Sequence, residues 1–297
     1  MAVSIEKKYQ KLTDTEHVLL RPGMYVGSIK PHTEEVFLPM KGKDQFQLTE
    51  VTYNPGFLKL FDEIVSNSVD EHKRNTKLNK VKVDIDMSTG LISIWDNGGI
   101  PVKIHKEYDE WVPEMIFSNL KAGSNFDDTE DRVVVGTNGV GSTLTNIFSK
   151  EFIIETCDGQ KHFAQTFKNN MSERTKAKIT NKKTAYTKIT YLTDFERFGL
   201  KGINKNHYLM ITKRLIDIAA CNPTLKIFLN DKPIAFKTFK DYASRYVTPV
   251  FYDQSEHWKI GIGHSKTGFK AISFVNSVET KDGGTHVNNI DWQITSY

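Results

Sequence analysis

The spacing of apolar residues along the chain switches between a helical period and a strand period. Residues 57–74, FLKLFDEIVSNSVDEHKR, place their apolar positions at helical spacing, and Pro55-Gly56 marks the start. Residues 81–86 and 91–95 read as two strands joined by a turn at Ser88-Thr89-Gly90. Further helices are predicted at 114–121, 142–149 and about 204–220, and further strands at 151–157, 186–192 and 225–229. Residues 1–50 form a mixed arm with a turn-like RPGMYVGS at 21–28, and something new begins near Val275. No internal repeat or low-complexity linker interrupts the chain. The mixture predicts an α+β sandwich, an antiparallel-rich sheet with helices on one face.

The helix at 57–74 carries a second pattern. At 100° per residue, Asn67, Asp70 and Arg74 fall within about 40° of Glu63. Phe61, Ile64, Val65 and Ser68 fall on the other side, which reads as the packing face. An ordinary amphipathic surface helix has the same outline. Asn and Asp are poor helix formers, however, and an unusual choice for a merely solvated stripe. A carboxylate one turn before an amide can take a proton from water, while the amide oxygen suits a hard cation such as Mg2+.

Two glycine-containing turns follow. Asp96-Asn97-Gly98-Gly99-Ile100-Pro101 ends a strand. A buried carboxylate there can accept a hydrogen bond from an exocyclic amine, and the paired glycines would admit a flat ligand. A plain Asn-Gly turn is the rival reading. Gly136-Thr137-Asn138-Gly139-Val140-Gly141 leads into the helix at Ser142, where freed backbone N–H groups and the helix dipole would favour phosphate. A flexible loop would look the same, and the stretch is neither a Walker loop nor a Rossmann fingerprint. Thr187, in the strand Tyr186-Thr187-Lys188-Ile189-Thr190, is by itself only a good strand former.

Composition narrows the class without naming it. The 297 residues are 38% hydrophobic and 26% charged, as expected for one large or two medium globular domains. Forty basic and 36 acidic residues give +4, which permits nucleic-acid contact without arguing for it. Lysines cluster between Lys168 and Lys188, read here as a solvated face. Neither a secretory segment nor a membrane span is legible, and Cys157 and Cys221 have no metal or redox spacing. The nine histidines lack ligand spacing, so no zinc is expected. An intracellular, reduced protein is expected, in nucleus or cytoplasm or of viral origin.

Taken in order, the four elements resemble the Bergerat-fold ATPases, which include gyrase B subunits, Hsp90, MutL and sensor histidine kinases. The segments YQKLT at 9–13, EHVLLRP at 16–22, YVGS at 25–28, PEMIF at 113–117 and SNFDD at 124–128 resemble the start of eukaryotic type II DNA topoisomerases. GVGS at 139–142 with LTNIFS at 144–149 resembles the T-even phage enzymes. FVNSV at 274–278, with Gly283-Gly284 and His286, resembles the opening of the family's S5-like transducer domain.

The resemblance implies an ATP-binding domain over 1–243 and an incomplete transducer over 244–297. It implies ATP and Mg2+ as ligands, with Glu63 as general base and Asn67 on Mg2+. Asp70, Arg74, Gly98 and Ile100 belong to the implied ATP site, with Arg74 bracing the stripe or the turn. Asp96 would receive the adenine amine, helped by Thr187. Gly123, Ser124 and Asn125 would line ribose and phosphate, and residues Gly136, Thr137, Asn138, Gly139, Val140, Gly141, Ser142 and Thr143 would wrap the triphosphate. Tyr9 lies on the arm that reaches a partner subunit's nucleotide in a homodimer.

In the family, two such domains close on ATP as a gate for DNA duplex passage, in one long chain or beside a separate cleavage subunit. No cleavage motif is legible here. MutL- or Hsp90-like clamps, or a non-hydrolysing nucleotide-binding module, are the alternatives, and the 9–28 arm and the 275–286 stretch argue against the clamps. The DNGG turn is one residue shorter than the family's, Thr143 stands where eukaryotic members have lysine, and no Gln-Thr-Lys occurs. Weak hydrolysis is therefore expected.

Overall fold

The computed structural model describes residues 5–123, 139–248, 250–265 and 268–296, apart from the side chains of Glu6 and Lys7. Its centre is a nine-stranded sheet. From one edge, the strands run Lys178–Asn181, Lys161–Lys168, Ser149–Cys157, Tyr186–Thr193, Leu91–Asp96, Lys80–Asp86, Lys226–Leu229 and Lys232–Ile234. Glu173–Arg174 pairs with Lys161–Lys168 off this path. All pairings are antiparallel except that of Lys226–Leu229 with Lys80–Asp86.

Alternate strand residues such as Val81, Ile92, Ile154 and Ile189 enter one core with Phe61, Val65, Leu144 and Leu215 of the helices. The other alternate positions of these strands stay partly exposed. The sandwich read from the sequence is therefore the architecture found, and the structure adjusts its details.

The helix read at 114–121 spans Val112–Ser118, because Pro113 suits its first turn. The helix read at 142–149 spans Gly141–Ile147, since Ser149 already opens a strand. Lys161–Lys168 was missing from the reading altogether, although Phe163, Gln165 and Phe167 alternate inward. The arm is more ordered than expected. Asp14–Leu20 is a helix with a Thr13/Glu16 capping box, and His32–Leu38 pairs with Gln47–Tyr53.

Helix Pro55–Arg74 is the element that carries the polar stripe. It buries Phe57, Leu60, Phe61, Ile64, Val65 and Val69. Each such side chain contributes about 1.5–3 kcal/mol on burial, so packing rather than intrinsic propensity sets the helix in place. Asn54 caps its start by accepting from the Phe57 N–H at 3.0 Å, and the Asn54 N–H donates to His207 Nε2 at 3.0 Å.

The opposite flank of this helix grips the later part of the chain. Residues Phe274–Val275 and Val278–Glu279 pair as a hairpin whose turn residues, Asn276 and Ser277, have φ of 51° and 71°. Lys73 Nζ donates to the Asn276 carbonyl at 3.1 Å, and Arg214 donates to the Ser277 carbonyl. Arg214 also pairs with Asp62 at 2.6 Å. Nearby, Lys213 and Asp217 form a buried ion pair at 2.6 Å, closed by the Tyr242 hydroxyl at 2.7 Å from Asp217. Burial works against the Lys213 charge, but Asp217 beside it lifts its pKa above the usual lysine value.

His207 predicts a pH dependence. Burial pushes its pKa from 6.5 down to about 4, and its Nε2 accepts a hydrogen bond only while neutral. The unfolded chain binds this proton more readily than the folded one, so stability falls as the pH drops from 6.5 towards 4. Denaturant titrations across that range should show the loss, and a His207→Gln variant should show less of it.

Candidate functional site

The polar stripe meets the start of helix Gly141–Ile147 at Glu63 and Asn67; Glu63 is partly buried and Asp70 buried, while Asn67 and Arg74 are exposed. The contact at Gly141 is so close that an added Cβ would sit 1.7 Å from Glu63 Oε2. One turn along, Asn67 Nδ2 donates to Ser142 Oγ at 3.1 Å. Glu63 is partly buried and is held by Lys59 on its own helix at 2.6 Å. That partner is legible as an i,i+4 pair, but the sequence reading passed over it.

Three buried polar side chains fasten the short helix to its neighbours. Thr143 donates to the Asn119 carbonyl at 3.0 Å, Thr145 to the Leu60 carbonyl at 3.0 Å, and Asn146 to the Phe117 carbonyl at 2.9 Å. No side chain caps its N-terminus at Val140. Its first N–H groups therefore lack a side-chain acceptor from the cap position. Gly139 just before it has φ of 59°, a left-handed conformation that favours glycine. The Thr143 hydroxyl is buried and donates to the Asn119 carbonyl, so this position, where eukaryotic members have lysine, turns its side-chain donor inward.

Behind the stripe, strand Leu91–Asp96 ends in a buried carboxylate. Asp96 accepts from Ser68 Oγ at 2.7 Å and from the Gly98 N–H at 2.9 Å. Burial raises its pKa to about 6, against the lowering effect of those two hydrogen bonds. Ser68, read from periodicity as part of the packing face, uses its inward direction to hold the carboxylate. Thr187 is the cross-strand partner of Asp96. Its hydroxyl lies 3.0 Å from that of Thr156, which also accepts from the Ile100 N–H at 3.1 Å. Neither Ser68 nor Thr156 had a legible signal, because each matters only through strand register and helix orientation.

The glycines of the turn also have a structural reason of their own. A Cβ at Gly99 would meet the Cys157 carbonyl oxygen at 2.3 Å. The protein's own neighbouring strand thus accounts for a small residue there. Gly98 is buried beside Leu78 and Asp96. Asn97 pins the turn by accepting from the Lys80 N–H at 2.9 Å and donating to the Lys77 carbonyl at 3.1 Å.

The remaining expected residues divide. Asp70 is buried within the stripe, and Arg74 is exposed and pairs with Glu71 at 3.9 Å. Tyr9 is 70% exposed on the arm. Gly123 is the last described residue before residue 139, and the Ala122 N–H donates to the Gly139 carbonyl at 3.1 Å. Ser124, Asn125, Gly136, Thr137 and Asn138 lie outside the described residues.

Comparison with known proteins shows the family. No family model matches the chain. The solved ATPase region of Saccharomyces cerevisiae topoisomerase II superposes with a TM-score of 0.93 at 36% identity, over 99% of this chain and 80% of that one. The chain belongs to the ATPase region of the DNA topoisomerase II family.

The ATPase and transducer domains of the Balamuthia mandrillaris topoisomerase II also superpose, with a TM-score of 0.93 and 38% identity over 99% of this chain and 78% of that one. Among full-length sequences, the DNA topoisomerase 2 of Acanthamoeba polyphaga mimivirus is 42% identical and that of Arabidopsis thaliana 40%, each over 99% of this chain. The chain spans 24% and 21% of their lengths. Among its described helices, none is long and apolar enough to cross a membrane.

The Glu63–Gly141 contact makes a sharp test of this topoisomerase-family site. Gly141→Ala forces Glu63 or the short helix to move, at a cost of about 1–3 kcal/mol by analogy with overpacked cores. Denaturation should show that loss. Gly23→Ala, where an added Cβ meets nothing within 4 Å, should change stability by much less.

Proposed function

We propose that this chain binds and hydrolyses ATP as the gate of a type II DNA topoisomerase. The observation that carries the reading is the meeting of Glu63 and Asn67 with the uncapped helix start at Gly141-Ser142, with buried Asp96 behind them. The ATP-binding domain is assigned to residues 1–243 and the start of the transducer to 244–297. The triphosphate would lie against the N–H groups at the start of helix Gly141–Ile147, where backbone donors and the helix dipole attract anions. The adenine amine would donate to Asp96, which loses water there and gains a hydrogen-bond donor in exchange. Thr187, at the adjacent register position, is assigned to the same end of the ligand, with Gly98 and Ile100.

The chemistry assigned to Glu63 is general-base catalysis. Its carboxylate takes a proton from water as the water oxygen bonds to the γ-phosphorus. The bond from that phosphorus to the bridging oxygen breaks, and ADP leaves with the electron pair. Lys59 holds the carboxylate beside the Gly141 backbone and so orients the base. The donor chemistry at Asn67 fits a divalent cation: with its Nδ2 committed to Ser142, the amide keeps a hard oxygen for Mg2+. Bound there, Mg2+ would neutralise phosphate charge. Asp70 and Arg74 are assigned to shaping the stripe, and Tyr9 to a contact across a nucleotide-dependent homodimer. Gly123, Ser124 and Asn125 are assigned to ribose and phosphate from a lid, and residues 136–143 to wrapping the triphosphate.

Closure on ATP would then trap a DNA duplex for passage, within a long chain or beside a cleavage subunit. Such coupling requires contacts that only the closed form makes. With the Thr143 hydroxyl committed to Asn119, that position offers phosphate no side-chain donor, and this supports slow turnover.

Calorimetry with Mg-ATP, paired with a phosphate-release assay, tests the roles. Glu63→Ala should bind as the parent does and lose about 100-fold or more in hydrolysis. Asn67→Ala and Asp96→Asn should lose measurable binding. Hydrolysis by Glu63→Ala at the parental rate would remove Glu63 from its role, and undiminished binding by the other two would dismiss the site.

A further inference from the structure

We propose that the sheet edge formed by Lys161–Lys168 and Lys178–Asn181 is a docking surface for the phosphate backbone of duplex DNA. The partner rests on the topoisomerase reading; the surface rests on charge. The whole chain is nearly balanced, with 40 basic and 36 acidic residues, yet residues 161–183 carry seven Lys or Arg and one Glu. The antiparallel register sets Asn181 opposite Lys161, so Lys161, Lys182 and Lys183 gather at one end of the edge. Lys176 and Lys178 continue along it, and all five are exposed.

The contrast with the rest of the sheet is informative. Three lysines on its more central strands are each paired: Lys188 with Glu155 at 3.5 Å, Lys82 with Asp231 at 3.4 Å and Lys150 with Asp194 at 3.7 Å. At the start of the edge region Lys168 and Arg174 are paired too, with Glu151 and Glu114. Lys161, Lys176, Lys178 and Lys183 make no ion pair with a described residue. Lysine on an edge strand also discourages sheet-to-sheet aggregation, but one or two charges suffice for that on a four-residue strand. Here Lys176, Lys178, Lys182 and Lys183 crowd into eight residues.

The dimensions match a nucleic-acid backbone. Extended chain from Lys176 to Lys183 spans at most about 23 Å at roughly 3.3 Å per residue. That length matches the axial rise of several base pairs, so its four lysines can each meet a phosphate. Each neutralised phosphate releases counterion, and binding should weaken with salt at a slope of about −0.9 per contact.

The test is fluorescence anisotropy with the 297-residue chain and a labelled duplex of arbitrary sequence, from 50 to 200 mM salt. The parent should bind with a salt slope of magnitude about 3 or more. Lys161→Ala, Lys176→Ala, Lys178→Ala and Lys183→Ala combined should weaken binding at least about 10-fold at 50 mM salt and flatten the slope by about 3–4. Lys82→Ala with Lys188→Ala should change neither. Equal affinity and slope for the quadruple variant would overturn the assignment. So would a parent that fails to bind duplex at 50 mM salt, including one that binds an acidic peptide instead. Mg-ATP calorimetry on the same samples reports on the nucleotide site independently. Lost ATP binding with retained, lysine-dependent DNA binding would sink the gate and leave this surface standing.

Discussion

Everything in the geometry of the candidate site depends on how closely two helices approach at Gly141. The Glu63 carboxylate occupies the volume where any other residue would put its Cβ. That approach brings a potential base and a potential cation ligand to an uncapped helix start. Three buried hydrogen bonds from Thr143, Thr145 and Asn146 hold the short helix in this position. Seven residues of isolated helix would not persist in water, so this position comes from tertiary contacts.

The helix that bears Glu63 works in two directions. Its polar stripe forms one wall of the site, and Ser68 reaches from its sheet side to Asp96. Asp62, Ser66 and Lys73 on the same helix meet Arg214 and the Asn276-Ser277 turn. A rigid element shared between a ligand site and a second structural unit is a physical route for coupling them. A further tie runs through Lys281, which pairs with Glu34 and bonds Tyr53 at 3.2 Å. Burial opposes the charge on Glu34, but Lys281 and the Tyr53 hydroxyl hold its pKa below the usual value.

Several features were readable from residues alone. The helical period of 57–74 predicted both a packing face and the stripe of Glu63, Asn67 and Asp70, and Asp96 stood at a strand end as expected. Other features were not readable. Ser68 sat on the face counted as apolar, Thr156 was one strand-forming residue among many, and Lys161–Lys168 was passed over. The glycines at 98 and 99 were legible as a turn, but their reason was not. It is the carbonyl of Cys157, 58 residues further along, that crowds Gly99.

Sequence by itself determined which of the strongly periodic segments coil and which extend, and which groups could accept protons or bind a cation. Those properties belong to period and side-chain chemistry, which are local. Tertiary structure alone decided that Thr187 lies opposite Asp96, that the Thr143 hydroxyl turns away from the site, and that Gly141 underlies Glu63. Each of these follows from strand register or helix docking between residues far apart in the chain. Such pairings are chosen by the packing of the whole core, and no short window of sequence contains that information.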